Sequence, residues 1–297
     1  MTLTMAMQRK FSATTYVLVS IFVVACQEAP VAVLDAGANL VPAQRIVSLA
    51  PHITELSFAA GAGSKLVGAV EYSDFPAEAL RVARIGDAFR VDYEALALLK
   101  PDLILAWESG TPQETVERLR SLGYNLVELE PGSLEDIVAE LRMVGALAGT
   151  SAVADKRAAT MEQEIELLRS SYSDREKLDV FFQISTEPLF TVAGDHVISD
   201  ILELCGGRNV FAALPGIAPP VSTEAVLAAA PEAILAMREN DDTSWQAFWR
   251  PWQQLPAVAA GNMFGIDSDL ISRSGPRIVA GTRQVCEALA QARANIR

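Results

Sequence analysis

The sequence is poor in the residues that build metal sites and covalent catalytic centres. It has only two histidines in 297 residues, His52 and His196, and they lie 144 positions apart. Metal sites in proteins usually draw on a richer set of histidine, cysteine and carboxylate ligands. The sequence also has no phosphate-binding glycine loop, dinucleotide fingerprint, nucleophile elbow or HExxH motif. We therefore expect no metal site, no cofactor and no catalytic residue, and so no enzyme.

Basic residues are scarce as well. The chain has 24 Lys and Arg against 37 Asp and Glu, which gives a net charge of −13. An acidic surface argues against a nucleic acid partner, because phosphate binding needs clustered cations. Asp102 and Glu232, which each follow a proline, have the character of residues that precede a strand. We do not favour acid–base catalysis by this pair.

One long apolar run is present, and it lies near the N-terminus. Residues 16–25 follow Arg9 and Lys10 and are followed by Cys26. The run is too short to span a bilayer, but it suits the hydrophobic part of a signal peptide over residues 1–25. The string VVAC, which ends at Cys26, resembles a bacterial lipobox, in which the cysteine is acylated. An ordinary signal peptide cut a few residues later is the alternative.

The segment after the apolar run predicts a tethered protein. Residues 26–43 are rich in Ala, Pro and Gly with little periodicity, which indicates a flexible linker. Loss of residues 1–25 would remove two cations and no acid, which lowers the net charge to −15. No later segment has eighteen uninterrupted apolar residues. We expect a periplasmic or extracytoplasmic protein that touches the membrane only through a lipid anchor at Cys26.

Two cysteines remain once Cys26 is assigned to the anchor, namely Cys205 and Cys286. In an exported protein such a pair indicates a disulfide first. Both lie in the second half of the chain, so the bridge would join parts of a C-terminal lobe. Two buried free thiols are the alternative.

An internal repeat predicts two lobes. Residues 91–107 and 221–237 are identical at seven of seventeen positions, at an offset of 130 and without a gap. Each copy has the pattern of a capped short helix, a proline that ends it, and a buried apolar strand. A unit that recurs at domain spacing indicates two lobes of similar build, and two lobes imply a cleft between them.

Strand and helix patterns alternate along the chain, which is typical of parallel α/β folds. Residues 44–149 form one predicted α/β lobe and residues 174–297 a second. Between them, residues 150–173 contain a long run of helix-forming residues with no Gly or Pro. We expect this segment to bridge the lobes as a stiff helix, although a surface helix of the first lobe is the alternative.

The chain from Arg45 onward resembles the class III periplasmic substrate-binding proteins of the helical-backbone type. Within them it is most similar to the vitamin B12 receptors of ABC importers. The blocks that carry the resemblance occur in the family's order and spacing: RIVSLAPHITELSFAAGAG (45–63), VEYSDFP (70–76), KPDLILAW (100–107), LELCGGRNVF (202–211), VSTEAVL (221–227) and SGPRI (274–278).

The resemblance implies a fold and a function. The fold is α/β, with two Rossmann-like lobes joined by a single long backbone helix and a ligand cleft between the lobes. The function is capture of cobalamin or a related corrinoid by a monomer and its delivery to the permease dimer of an ABC importer. Heme and ferric-siderophore receptors share the scaffold and are the alternative within this class. A redox sensor or enzyme that uses Cys205 and Cys286 is the alternative from a different class.

The resemblance also implies ligand-binding positions in the cleft. They are Tyr72, Phe89, Trp107, Phe190, Asp269 and Arg273. The alternative for each aromatic side chain is core packing, and for Arg273 it is a salt bridge to Asp269 that only stiffens the rim. A C-lobe loop that carries a cleft tryptophan in the B12 receptors reads LPGI at 214–217, and Ser272 stands where an acid is expected. The aromatic stretch around Trp245 could supply a replacement surface, or it could simply pack.

Glu94 and Glu224 match the two surface glutamates, one on each lobe, that dock into the permease in this family. Each also lies in the first turn of a predicted helix, after Asp92 or Ser222, where a carboxylate gains about 0.3–1 kcal/mol from the helix dipole. The two roles are compatible.

Overall fold

A computed structural model describes residues 41–87 and 89–296. Strands and helices alternate in the N-terminal half, and its strands form one five-stranded parallel sheet in the order β3-β2-β1-β4-β5. We call this half the N-lobe. Its elements are β1 (Ile46–Ser48), α1 (Pro51–Ala59), β2 (Leu66–Ala69), β3 (Ala83–Arg84), α2 (Tyr93–Leu99), β4 (Leu103–Trp107), α3 (Gln113–Ser121), β5 (Leu126–Leu129) and α4 (Leu134–Ala148).

A single long helix, α5 (Ser151–Tyr172), follows the N-lobe. Its 22 residues correspond to a length of about 33 Å. The buried side chains of α5 recur every three or four residues, and α5 packs against α4. The two helices approach closely at Gly145, where an added Cβ would lie 2.2 Å from the Cβ of Ala154.

The second half, which we call the C-lobe, contains a four-stranded parallel sheet in the order β11-β10-β6-β9 and a two-stranded antiparallel hairpin. Its elements are β6 (Leu178–Gln183), β7 (Ser185–Thr186), β8 (Leu189–Phe190), α6 (Val197–Leu204), β9 (Gly207–Asn209), α7 (Thr223–Ala229), β10 (Ala233–Arg238), α8 (Ser244–Trp249), α9 (Pro256–Ala259), β11 (Met263–Asp267), α10 (Ser268–Ile271) and α11 (Ile278–Ile296).

The predicted fold class is confirmed: two parallel α/β lobes are connected by one long helix. The lobe limits at 44–149, 150–173 and 174–297 stay predictions. One continuous core contains residues of both sheets, for example Ile46 and Leu103 in the N-lobe and Phe182 and Leu235 in the C-lobe. Because packed cores are dense and interdigitated, a core shared by both lobes resists large relative motion.

The predicted disulfide is present between Cys205, at the end of α6, and Cys286 in α11. Both residues are fully buried. The bridge closes a loop of 81 residues within the C-lobe. In the described part of the chain, therefore, the C-lobe has a covalent cross-link and the N-lobe has none.

The predicted signal peptide, the acylated Cys26 and most of the tether at 26–43 lie outside the described residues. Within residues 41–43, the Ala43 amide donates a hydrogen bond to the Leu147 carbonyl at 2.8 Å, and Ala43 is buried. Ala43, the last residue of the predicted tether, is therefore packed against the N-lobe. No helix in the described part of the chain has the length and apolarity needed to cross a bilayer.

The repeated segments have the same local structure. Asp92 caps α2 and Ser222 caps α7, through side-chain oxygens that accept backbone N–H groups of the first turn. Both helices end on a non-glycine residue in the left-handed region, Lys100 at φ 46° and Ala230 at φ 46°. A proline follows in each copy, and β4 or β10 then begins two residues later.

The acid after each proline ties neighbouring strands together. Asp102 accepts the amide N–H groups of Gln44 and Arg45 at 2.8 and 2.9 Å, where the chain enters β1. Glu232 accepts the amide N–H of Asp179, in β6, at 2.9 Å. The prediction that these two acids serve the starts of strands is confirmed.

Candidate ligand-binding cleft

Two adjoining cavities, of about 750 and 550 Å³, lie where the N-lobe faces the C-lobe. We call the first the C-side cavity and the second the N-side cavity. They share six lining residues, so they form one cleft: Glu239, Asn240, Ser268, Asp269, Ser272 and Arg273. A cleft of this combined size can take a ligand as large as a macrocycle.

The cleft lies at the carboxyl ends of the parallel strands. In the N-lobe, His52 follows β1, Tyr72 follows β2 and Trp107 ends β4. In the C-lobe, Gln183 ends β6 and Met237 lies near the end of β10. Open α/β sheets bind ligands at this edge, because the loops there are free of the sheet's hydrogen bonding. The fold therefore directs side chains from both sheets into one space.

Tyr72 and Trp107 supply the aromatic surface of the N-side cavity. Tyr72 has φ 64°, a backbone conformation that costs a non-glycine residue energy, and its side chain is 76% exposed. The backbone strain thus coincides with an aromatic ring that is presented to the cleft. Trp107 meets the imidazole of His52 edge to face, at a centroid distance of 5.1 Å.

His52 is a neutral group in this wall. Burial, with a smaller contribution from the charge of Arg273, lowers the pKa of His52 to about 4. Its Nε2 atom is buried and has no hydrogen-bond partner among the described residues. At neutral pH His52 therefore adds no charge to the cleft.

Arg273 is the centre of an ion cluster that joins the two lobes. Its Nη1 lies 2.6 Å from Asp74 Oδ1 and 3.2 Å from Glu55 Oε1, both in the N-lobe, and its Nη2 lies 3.4 Å from Asp269 Oδ1. The hydrogen bond from Arg273 lowers the pKa of Asp74. The expected contact between Arg273 and Asp269 is therefore present, but the shortest ion pair of Arg273 crosses to the other lobe.

Arg277 completes this inter-lobe ion cluster, which comprises Glu55, Asp74, Asp269, Arg273 and Arg277. It donates two hydrogen bonds to the Glu55 carboxylate, at 2.6 and 2.9 Å. The Glu55 side chain is only 1% exposed, so two arginines of the C-lobe neutralise one buried carboxylate of the N-lobe. Arg277 also lies over the ring of Phe75, 4.0 Å from its centroid.

The structure brings four of the six predicted ligand residues to the cleft, namely Tyr72, Trp107, Asp269 and Arg273. Phe89 lies in an exposed turn and does not line either cavity. Phe190 pairs in a hairpin with Ser185, which lines the C-side cavity, but Phe190 itself is not on its wall. The roles of all six in binding stay predictions.

Sequence reasoning missed several residues of the cleft and its support. Glu55 and Arg277 lie 222 positions apart, in the blocks 45–63 and 274–278, and neither block indicated that the two side chains pair. Trp245 lines the C-side cavity, whereas Trp249, from the same aromatic stretch, is fully buried in the core. Packing is therefore present in that stretch, and a ligand-binding role for Trp245 stays a prediction.

The charge of the cleft is strongly negative. Its lining includes five carboxylates against one guanidinium, that of Arg273: Asp74, Glu239, Asp242, Asp267 and Asp269. Like charges in a concave site reinforce one another and repel anionic ligands. The negative surroundings therefore favour a neutral or cationic ligand with many hydrogen-bond donors.

The described residues contain no group of three or more His, Cys, Asp or Glu side chains that could hold a metal ion.

Glu94 and Glu224 lie outside the cleft lining, on the surface of α2 and α7. Each is in the first turn of its helix, and both side chains are exposed. A hydrogen bond from its own backbone amide, and a smaller contribution from the Ser222 hydroxyl, hold the pKa of Glu224 below its usual range. The repeat therefore displays one charged carboxylate on each lobe.

The sequence profile of the periplasmic binding protein family matches residues 46–270, most of the chain. The chain belongs to this family. Its relatives include the vitamin B12-binding protein of Vibrio cholerae serotype O1, which is 35% identical over 246 residues, or 82% of this chain and 88% of the relative. The vitamin B12-binding protein of Pectobacterium carotovorum subsp. carotovorum is 37% identical over 249 residues, with 83% of this chain and 88% of the relative covered.

Solved structures of periplasmic binding proteins have the same fold. The periplasmic vitamin B12 binding protein BtuF of Vibrio cholerae superposes with a TM-score of 0.78 at 35% identity, covering 85% of this chain and 98% of that one. The periplasmic heme-binding protein RhuT of Roseiflexus sp. RS-1, in its apo form, gives a TM-score of 0.73 at 25% identity, with 84% and 98% covered. The family resemblance inferred from the sequence motifs is confirmed.

Proposed function

We propose that this periplasmic binding protein captures cobalamin or a related corrinoid and delivers it to the permease of an ABC importer. The observation that carries the proposal is the 35% identity to a vitamin B12 binding protein along 98% of its solved chain. The chemistry of the cleft supports it. A corrinoid is a broad macrocycle fringed with carboxamides, which suits aromatic walls and an acceptor-rich rim.

The geometry suggests how such a ligand would be held. Tyr72 and Trp107 offer apolar faces from the N-lobe, and Met237 and Trp245 offer apolar surface from the C-lobe. Asp269 and the cleft-facing side of Arg273 would contact polar groups at the macrocycle edge. Because the lobes share one core and an ion cluster, we expect little closure of the cleft when the ligand binds.

Calorimetric titration of the purified protein with cyanocobalamin, cobinamide, hemin and a ferric hydroxamate tests the proposal. We expect heat of binding with the corrinoids and none with hemin or the hydroxamate at equal concentration. Absence of heat with both corrinoids would overturn the proposed function. The Trp107→Ala variant, which removes an aromatic wall, should weaken corrinoid binding.

Heme is the second candidate ligand, because Tyr72 and His52 line the same cavity and could both act as axial ligands. The relative RhuT is a heme-binding protein with the same fold. The charge of the cleft argues against heme, since five carboxylates would repel its propionates. A shifted Soret band that is lost in Tyr72→Phe or His52→Ala would favour heme over a corrinoid.

We further propose that Glu94 and Glu224 dock the loaded protein onto the two subunits of the permease. Their exposure and their equivalent positions on the two lobes support this role. We also propose that the protein acts as a monomer without a resident cofactor, tethered through an acylated Cys26. A redox or enzymatic role for Cys205 and Cys286 is disfavoured by their buried disulfide, and a thiol count on the non-reduced protein would check this.

A further inference from the structure

Trp245, a residue that lines the C-side cavity, has a buried indole N–H without a partner. Trp245 lies in the first turn of α8, is 4% exposed, and lines the cavity. Its Nε1 is buried and makes no hydrogen bond to any described residue. The neighbouring Trp249 is different, because its Nε1 donates to Gln183 Oε1 at 2.6 Å. One of the two buried indoles is thus satisfied within the fold, and the other is not.

The same cavity wall includes an acceptor without a donor. Glu239 follows β10, lines both cavities, and receives no hydrogen bond on its carboxylate from the described residues. The nearby cation is engaged elsewhere, since Arg238 contacts the Asn240 carbonyl and the Asp241 carboxylate. Asp242 is also occupied, because it accepts the Ser244 amide and hydroxyl at 2.8 and 2.9 Å.

A primary carboxamide needs one hydrogen-bond donor for its oxygen and one acceptor for its N–H group. Trp245 and Glu239, two residues that line this cavity, carry one unpartnered group of each kind. We propose that Trp245 and Glu239 form a carboxamide subsite in the C-side cavity, with the indole N–H donating to the amide oxygen and the carboxylate accepting the amide N–H. The inference rests on the proposed function and deepens it, because it assigns recognition of the corrinoid's amide side chains.

The subsite distinguishes an amide from a carboxylate. An amide N–H is attracted to Glu239, whereas a carboxylate in its place has no proton to donate and meets a like charge. A corrinoid with one amide hydrolysed to the acid should therefore bind more weakly when that side chain occupies the subsite. Heme propionates would be rejected there for the same reason.

The test compares cyanocobalamin with its isomeric monocarboxylic acids, in which one side-chain amide is hydrolysed, by calorimetry on the full protein. With the wild-type protein we expect at least one isomer to bind about tenfold more weakly than cyanocobalamin. Trp245→Phe should weaken cyanocobalamin binding by about tenfold. Glu239→Gln should bring the affinities of that isomer and cyanocobalamin to within about twofold, because a glutamine can also donate to a carboxylate.

Two matched controls separate the subsite from general effects. Trp252→Phe changes a tryptophan of the same aromatic stretch that is not on the cavity wall. Asp241→Asn removes one negative charge from the same loop at an exposed position. Both variants should leave the affinity for cyanocobalamin unchanged, and also the ratio of the affinities for cyanocobalamin and the acid isomer. Equal changes in Asp241→Asn and Glu239→Gln would overturn the proposal, because the effect would then be one of net charge.

Binding of cyanocobalamin and binding of its acid isomers test the proposed function and the subsite separately. If cyanocobalamin does not bind the wild-type protein, the proposed function fails and the subsite fails with it. If cyanocobalamin binds, but every acid isomer binds equally well, only the subsite is overturned. Only the subsite is likewise overturned if Glu239→Gln leaves the ratio of the affinities for cyanocobalamin and the acid isomer unchanged. Because Glu239 is exposed, this variant remains informative even if Trp245→Phe does not fold.

Discussion

In the N-lobe the repeated helix and strand end at Trp107, and in the C-lobe the matching strand runs through Met237. The helix caps, the left-handed residue before the proline and the acid after it have the same roles in both copies. The copies differ at the carboxyl ends of their strands, where both side chains line the cleft. The comparison indicates that the repeated part serves the scaffold and the outer surface, whereas the ends that diverge serve an asymmetric ligand.

The lobes also differ in how they are held. The C-lobe has a buried disulfide between α6 and α11, and the N-lobe contributes the buried Glu55 that accepts hydrogen bonds from two C-lobe arginines. A covalent bond thus stabilises one lobe, and an ion cluster ties the other lobe to it.

Charge reversal of both repeated glutamates, Glu94→Lys with Glu224→Lys, should abolish ligand transport in cells and leave the affinity for cyanocobalamin unchanged. The reason is that both side chains lie on the outer surface and not in the cleft lining. Uptake of labelled ligand and calorimetry measure the two effects. Glu114→Lys with Glu287→Lys, which reverses one exposed carboxylate in each lobe, is the matched control and should transport normally. Loss of affinity for cyanocobalamin in the Glu94→Lys with Glu224→Lys variant would contradict the proposal that these glutamates serve permease docking and not ligand binding.

Replacement of Cys205 and Cys286 by alanine should lower the free energy of unfolding by about 4 kcal/mol, because the bridge closes an 81-residue loop. Denaturant unfolding with and without reductant measures the loss. Reductant should destabilise the wild-type protein and have no effect on the double variant. Equal stability of the wild-type protein without reductant and the double variant would show that the C-lobe does not depend on its cross-link.

Glu55→Gln should lower the free energy of unfolding by about 3 kcal/mol, because it leaves Arg277 and part of Arg273 without a buried counter-charge. Denaturant unfolding at neutral pH is the measurement. Glu135→Gln, which breaks the exposed pair with Arg169, is the control and should cost less than about 1 kcal/mol. If the two variants lose the same stability, the ion cluster does not couple the lobes.

Each lobe contains one histidine, of which His52 is buried and His196 half-buried, and desolvation lowers the pKa of both from 6.5 to about 4. Between pH 6.5 and 4 the unfolded chain binds more protons than the folded protein, so stability falls as the pH falls through this window. His196→Asn should remove about 2 kcal/mol of this acid-induced loss. Asparagine can still cap α6, where His196 Nδ1 accepts the Ile198 amide at 3.0 Å.

Unfolding free energies at pH 7 and pH 4 give the result for the two lobes separately. His52→Gln should reduce the acid-induced loss by a similar amount, and both variants should resemble the wild-type protein at pH 7. An unchanged difference between the two pH values in either variant would show that its histidine is not the titrating group.

The sequence was sufficient for features that depend on local chemistry. Caps, proline stops and apolar runs predicted the helix after Asp92, the helix after Ser222 and the long helix at 151–172. The two-residue strands of the hairpin and the short helices α8 to α10 escaped prediction, because so few residues give no measurable periodicity.

The candidate site was predicted only in part. Tyr72, Trp107, Asp269 and Arg273 were found through the family motifs. The pairing of Glu55 with Arg277 joins residues 222 positions apart, and no local pattern encodes such a contact. The unpartnered indole of Trp245 was equally hidden, since a sequence does not show which of several neighbouring tryptophans is left without an acceptor.

A crystal structure of the protein with bound cyanocobalamin would show where the ligand lies relative to the repeat. We expect the macrocycle between the two strand ends, in contact with Trp107 on one side and Met237 on the other, with Glu94 and Glu224 free of the ligand. Ligand density away from both strand ends, or in contact with either glutamate, would contradict the claim that the repeat forms the scaffold and its diverged ends form the pocket.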